Sequence, residues 1–212
     1  MKILKKFYSK KNLVYLLEDT QTVAVYKLFS DRDNYLKEKS FYEMFQYTEL
    51  SVPKMIAYKD ANNSILLEYL QDKTALDLME QHEKNLDYSG ALKLLTSIFL
   101  WLKKFHDLDK IKSNGLSFFD LNLRNFIFKD TTVYGVDFES IQEGNLLSDT
   151  VKLIGMYLNY DEKYSAFKCK IIFDFKHFII KNHSFNIENL NKNISDEISI
   201  INNRRNLKSN VI

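Results

Sequence analysis

Glycine is scarce in this 212-residue chain: there are five, none before Gly90, and a single proline. A Walker-type phosphate loop and a dinucleotide-binding fingerprint both need clustered glycines so that the backbone can approach phosphate, and both are excluded. The single cysteine, Cys169, rules out an intramolecular disulfide and a cysteine-based zinc site. Its expected place is the core, as a small hydrophobe. Long apolar runs are also missing. Even Ile98 to Leu102 is far too short to span a bilayer. Lys2, Lys5 and Lys6 break the N-terminus before any signal-peptide core could form, so the chain is expected in the cytoplasm. Neither sign of charge dominates. Thirty basic residues against twenty-eight acidic ones leave a net charge of +2, too even to announce nucleic acid or a membrane surface. No internal repeat is visible.

What is present is an ordinary globular composition, 45% hydrophobic and 27% charged, with enough length for one generous domain or two small lobes. The first seventy residues alternate like strands around one helix. Val14–Leu17 and Thr22–Phe29 form a hairpin across Glu18–Gln21. On the second strand Val23, Val25 and Lys27 share a face, an unusual place for a lysine, whose charge needs a partner when buried. Asp31 or Asp33 caps a helix on which Glu38, Tyr42 and Phe45 fall on one side, so that a carboxylate could meet Lys27. Val52–Tyr58 and Ser64–Tyr69 complete a second hairpin around Asp60–Asn63.

Beyond about Gln71 the period changes to that of helices. Leu92, Leu95, Phe99, Leu102 and His106 predict a long helix from about Tyr88, with Trp101 in the core. Two short apolar runs follow, Phe126–Phe128 and Val133–Phe138, and then helices through Asp149–Leu158 and Phe167–Ile180. From about Asn182 the chain reads as a loosely structured end, in which Ile198, Ile200 and Ile201 could form a docked helix. The fold class expected is α+β: a strand-rich lobe over residues 1–70 and a reduced helical lobe over residues 71–212.

Asp120, Asn125 and Asp137 carry the candidate chemistry. An aspartate, an asparagine five residues later and a second aspartate after a tight hairpin can converge on one cavity. Phosphoryl transfer uses such a set: one carboxylate orients the attacking hydroxyl, while the amide and the second carboxylate hold magnesium against a triphosphate. The same residues also suit a turn in which Asn and Asp bond their own backbone. Arg124 could neutralise phosphate on an acceptor or pair with a surface carboxylate. His106 reads as a packing residue, and the remaining histidines form no cluster.

In these motifs and their order the chain resembles the protein-kinase-like superfamily, including aminoglycoside phosphotransferases and related bacterial small-molecule kinases, over roughly Val14 to Leu158. "VAVYK" is similar to the strand whose lysine steadies the α- and β-phosphates, which implies that role for Lys27. "LKEKSFYEMF" is similar to the helix that supplies the lysine's partner, implying Glu38, with Glu43 as the alternative. "VPKMIAY" and "ILLEYL" resemble the strands leading to the adenine-binding hinge, implying the Glu68 carbonyl, the Leu70 amide and Val25 as the adenine contacts. "FFDLNLRN" resembles the catalytic loop, implying Asp120 as base, Arg124 beside it and Asn125 as a magnesium ligand. "VYGVDFE" resembles the metal-binding turn, implying Asp137 as the main ligand, and "LSDTVKL" implies Asp149 as a brace for the loop.

The resemblance implies ATP and Mg2+ as cofactors and transfer of a phosphoryl group to a hydroxyl of a small molecule such as an aminoglycoside, a sugar or a choline-like alcohol. A small atypical protein kinase acting on a protein hydroxyl, an ATPase of a tRNA-modification complex, and an inactive nucleotide-binding pseudokinase are the alternatives. Three departures stand out. Phe118 replaces the usual histidine, Glu139 replaces a glycine, and Ser9–Asn12 stands where the glycine-rich lid is expected. Any nucleic-acid contact would have to come through the basic tail of Arg204, Arg205 and Lys208.

Overall fold

A computed structural model describes residues 2–20, 22–183 and 185–209, with side chains in the last helix described as far as Asn203. The side chains of Arg204, Arg205 and Lys208 therefore lie outside the described residues. In chain order the elements are β1 (Lys2–Phe7), β2 (Leu13–Glu18), β3 (Val23–Leu28), α1 (Arg32–Phe45), β4 (Met55–Lys59), β5 (Ser64–Glu68), β6 (Lys73–Thr74), α2 (Ala75–Lys84), α3 (Tyr88–Asp107) and α4 (Asp109–Ser113). They continue with β7 (Leu116–Ser117), β8 (Phe126–Lys129), β9 (Thr132–Gly135), β10 (Gln142–Glu143), α5 (Leu146–Leu158), α6 (Ala166–His183) and α7 (Ile187–Ser209). The class is α+β. Among the described residues no helix is long and apolar enough to cross a membrane.

Packing divides the chain into two units, residues 1–72 with 127–140, and residues 73–126 with 141–212. The expected division after residue 70 puts the 127–140 segment with the helices, whereas its contacts join it to the first unit. The physical reason is Phe138. Its fully buried ring stands edge-on to Tyr42 at 5.0 Å and to Phe45 at 4.8 Å, both on α1. The Gly135 amide adds a bond to the Ser51 carbonyl at 3.2 Å.

The first unit is an antiparallel sheet of order β1-β2-β3-β5-β4, with α1 inserted between β3 and β4. β2 and β3 pair in continuous register, with Val14 opposite Lys27 and Leu16 opposite Val25, and β3 pairs with β5 so that Lys27 faces Ile65. Asp31 caps α1 by accepting the Asn34 amide at 2.8 Å. The helix buries Tyr35, Glu38, Tyr42 and Phe45, which at spacings of three and four form one stripe. The turn between β4 and β5 closes through Asn63 in the left-handed region, a conformation asparagine tolerates.

The second unit is helical. α3 buries Leu94, Leu95, Ile98, Phe99, Trp101, Leu102 and Phe105 along a continuous face, as its periodicity predicts. The tail is the docked helix and not the loose end, though of the three isoleucines expected to dock it only Ile201 is buried. Residues 187–209 form α7, which packs on α5 and buries Leu190, Ile194 and Ile201, while Ile200 faces outward. Gly155 permits this approach, since a Cβ there would meet Glu197 Cγ at 3.1 Å and Ile201 Cδ1 at 3.2 Å. Cys169 is a second correction. It is exposed, because the inward stripe of α6 is Phe167, Ile171, Phe175 and Ile179, and position 169 falls on the opposite side.

Phe138→Ala should lower the stability of the protein by about 3–5 kcal/mol, the cost of deleting a buried aromatic ring. Urea unfolding checks this, and a loss under 1 kcal/mol would mean that Phe138 does not anchor the 127–140 segment.

Candidate functional site

The first unit contains a cluster built around one ammonium group. Lys27 is 7% exposed and points from β3 toward α1, where its Nζ donates to Glu38 Oε2 at 2.7 Å. The same nitrogen donates to Asp137 Oδ1 at 2.7 Å and lies 3.6 Å from Glu139 Oε2. Glu38, not Glu43, is the partner. Glu43 is turned away, 3.9 Å from Lys39 on the same helix. Phe138 accounts for Asp137: its ring packs edge-on to Tyr42 and Phe45, and the preceding carboxylate reaches the same Lys27 nitrogen as Glu38. Asp137 adopts a left-handed backbone (φ 69°), uncommon for a residue with a side chain and tolerated best by Asp and Asn.

Burial by itself would lower the Lys27 pKa, but Glu38, Asp137 and Glu139 outweigh it and hold the ammonium above its ordinary range. Glu38 responds the other way. Burial raises it, Lys27 opposes the rise, and Asp137 and Glu139 add to it, so it is pushed up to about 7. Three carboxylates around one ammonium leave excess negative charge, which with burial opposes ionisation of Glu38.

Glu139 also binds the turn between β1 and β2. Its Oε2 accepts from Asn12 Nδ2 at 2.7 Å and its Oε1 lies 3.9 Å from Lys11. Asn12 Oδ1 accepts the Ser30 amide at 3.3 Å, so one buried amide links the turn, the end of β3 and Glu139. Sequence reasoning missed this bond because its partners are 127 positions apart. The available signals were the glycine-free Ser9–Asn12 turn and an unexpected glutamate at 139.

Oxygens of Glu38, Asp137 and Glu139 lie within 4.8 Å of one another. Hard carboxylate oxygens in excess over the local positive charge, with Asp137 38% exposed, fit a divalent cation such as magnesium. Asp137 and Glu139 are the residues that could hold it, since Glu38 is sealed behind Lys27.

The adenine contacts implied for Val25, Glu68 and Leu70 also fall in this unit. Val25 is half-buried in mid-strand, opposite Leu67. Glu68 ends β5, with its amide donating to the Lys54 carbonyl at 2.8 Å and its carboxylate accepting from the Lys54 amide. Leu70 is buried, and its carbonyl accepts the Asp72 amide at 2.9 Å.

Asp120, Arg124 and Asn125 belong to the second unit. Asn125 Nδ2 donates to the Asp120 carbonyl at 3.1 Å, so Oδ1 is the atom with which Asn125 can ligate. Asp120 is half-buried and Arg124 exposed. The local side-chain-to-backbone bonds of a turn are present too: Asn122 Oδ1 accepts the Arg124 amide at 3.0 Å.

Asp149 braces the start of this loop. Fully buried, it accepts from Ser117 Oγ at 2.5 Å, the Phe118 amide at 2.8 Å, the Phe119 amide at 3.1 Å and His106 Nε2 at 2.8 Å. Four donors compensate a charge that would otherwise be costly to bury. They also secure Phe119 in a left-handed backbone (φ 69°). His106, expected as a packing residue, is thus also a hydrogen-bond donor.

No family model matches the chain, and a search of the curated proteins finds no match.

The raised Glu38 pKa has a signed consequence. A carboxyl that binds its proton more tightly when folded contributes stability that is fully present below its ordinary value of 4.5 and is lost as pH rises through about 7. At about 1.4 kcal/mol per pKa unit, the loss is on the order of 3 kcal/mol. Urea unfolding at pH 5 and pH 8 should show this decline in the native chain and a flatter one in Glu38→Gln. Equal slopes would refute the assignment.

Proposed function

We propose that this protein is an ATP-dependent phosphotransferase of protein-kinase-like fold, moving the γ-phosphoryl group of ATP to a hydroxyl of a small molecule. The observation that carries the reading is the buried Lys27 ammonium held by Glu38 and Asp137 within one unit. A lysine kept charged and fixed on a strand is suited to steadying the α- and β-phosphates, and Glu38 sets its position. Val25, the Glu68 carbonyl and the Leu70 amide take the adenine in this reading. The resemblance assigns magnesium ligation to Asp137, beside which Glu139 offers a second carboxylate, and also to Asn125; magnesium, when bound, would neutralise charge on the β- and γ-phosphates. Asp120 orients the acceptor and receives its proton as the acceptor oxygen bonds to phosphorus and ADP leaves with the electrons of the broken P–O bond. Arg124 offsets charge on the transferred group.

Two observations favour a small acceptor. By the resemblance Glu139 stands where a glycine is expected, and the chain passes from Glu139 to α5 with only the two-residue β10 between, which leaves no long activation segment. One observation favours a second reading, nucleotide binding without transfer. The turn that would cover the phosphates has no glycine, and its Asn12 is tied to Glu139.

Asp137→Ala should slow phosphoryl transfer by a factor on the order of a thousand, about 4 kcal/mol of transition-state stabilisation. Labelled ATP with a panel of sugars, aminoglycosides, choline-like alcohols and protein acceptors measures it, and a variant as active as the parent refutes the metal role. Thermal unfolding with Mg-ATP separates the two readings from an inert fold. At 100 times its dissociation constant a nucleotide adds about 2.7 kcal/mol, so no shift at saturation excludes both.

A further inference from the structure

Lys168 is a buried charge of the second unit that this reading leaves unused. It lies on α6 with no exposure, and its ammonium donates to three consecutive backbone carbonyls: Tyr160 at 2.9 Å, Asp161 at 3.1 Å and Glu162 at 3.0 Å. Glu83 of α2 lies 3.5 Å away and supplies a countercharge. An ammonium is costly to bury, and an apolar side chain would fill the same volume without that cost. What only the lysine supplies is a set of donors that fastens the turn between α5 and α6 to the body of α6.

The fastened turn carries Tyr160, whose hydroxyl faces the loop that follows β7. It donates to Asn122 Oδ1 at 2.9 Å and accepts the Leu123 amide at 3.1 Å. Those two residues sit at the centre of the Asp120–Asn125 segment. The Asn122 carbonyl accepts the Asn125 amide at 2.8 Å, and Asn125 Nδ2 returns to the Asp120 carbonyl. One phenol oxygen therefore grips the middle of a segment whose two ends are the proposed base and a proposed magnesium ligand.

We propose that Tyr160 is a positioning residue for phosphoryl transfer, holding Asp120 and Asn125 in their working orientation, with Lys168 as its anchor. This rests on the phosphotransferase reading. A ring with two torsions, tied at its backbone by Lys168 and at its hydroxyl by the loop, restricts the loop far more than solvent could. Small misplacements of reacting groups cost up to about a hundredfold in rate. The nucleotide contacts assigned to Lys27 and Glu38 belong to the other unit and do not depend on this hydroxyl, so the larger effect falls on kcat, and the KM for Mg-ATP moves only by what Asn125 contributes to it.

The test is Tyr160→Phe in the full chain. The expected result is a kcat lower by about 10- to 100-fold, a KM for Mg-ATP within about twofold of the parent, and a thermal midpoint lowered by no more than about 5 °C. By NMR, exchange of the Leu123 amide should quicken about tenfold, the mark of one lost hydrogen bond. Lys168→Met should reproduce the kcat loss, and the double variant should lose little more, because both act through one contact. Should Lys168→Met fail to fold, Tyr160→Phe carries the test alone. Faster Leu123 exchange with an unchanged kcat would make the contact purely structural and overturn the proposal, while leaving the phosphotransferase reading intact. If the parent transfers no phosphoryl group and Asp137→Ala changes nothing, the reading itself fails and the role of Tyr160 fails with it.

Discussion

One ammonium group, that of Lys27, can lie in the interior of the first unit only because carboxylates surround it. Without them its burial would cost several kcal/mol and the strand would not present it inward. The rest of the unit follows from supplying those carboxylates. α1 must lie across the sheet with Glu38 facing β3, and Tyr42 and Phe45 further along the same stripe must meet an apolar surface. Phe138 is that surface, and fixing its ring fixes Asp137 and Glu139 beside the lysine. The ion cluster and the aromatic cluster are consecutive parts of one helix face, so each makes the other's geometry necessary.

A second buried charge organises the helical unit by the same rule with the sign reversed. Asp149 satisfies its carboxylate with donors from Ser117, Phe118, Phe119 and His106, and in doing so sets the course of the loop that leads to Asp120. Phe118 has no polar head, and an imidazole reaches Asp149 from the end of α3 instead. At the far side of the loop Tyr160 and the buried Lys168 act in series. The approach to the Asp120–Asn125 segment and its middle are thus each held through a buried charge whose desolvation is offset by hydrogen bonds.

Much of this was legible before any coordinates. A lysine among valines on a strand is costly enough to demand a nearby carboxylate, and the spacing of Glu38, Tyr42 and Phe45 located that carboxylate on the following helix. Helix periodicity located α3, and turn chemistry at Asp60–Asn63 located the hairpin it closes. Other features were not legible. Both Glu38 and Glu43 sit on α1, and only packing shows Glu43 with Lys39. Cys169 looked like a core residue by type, yet its place on α6 relative to Phe167 and Ile171 puts it outside. The Asn/Lys-rich tail looked loose because its apolar residues are sparse, but three of them, with Gly155 opposite, suffice to dock α7.

By itself the sequence determined the two hairpins of the first unit, α1, α3 and the helices after Asp149, and that Lys27 would need a partner, because periodicity and the cost of burying charge act locally and independently of the partner's identity. Only the tertiary structure decided who those partners are. The bonds of Asn12 with Glu139, of Lys27 with Asp137 and of Tyr160 with Leu123 join residues far apart in the chain, brought together by packing of apolar side chains such as Phe138 that carry no polar signal of their own.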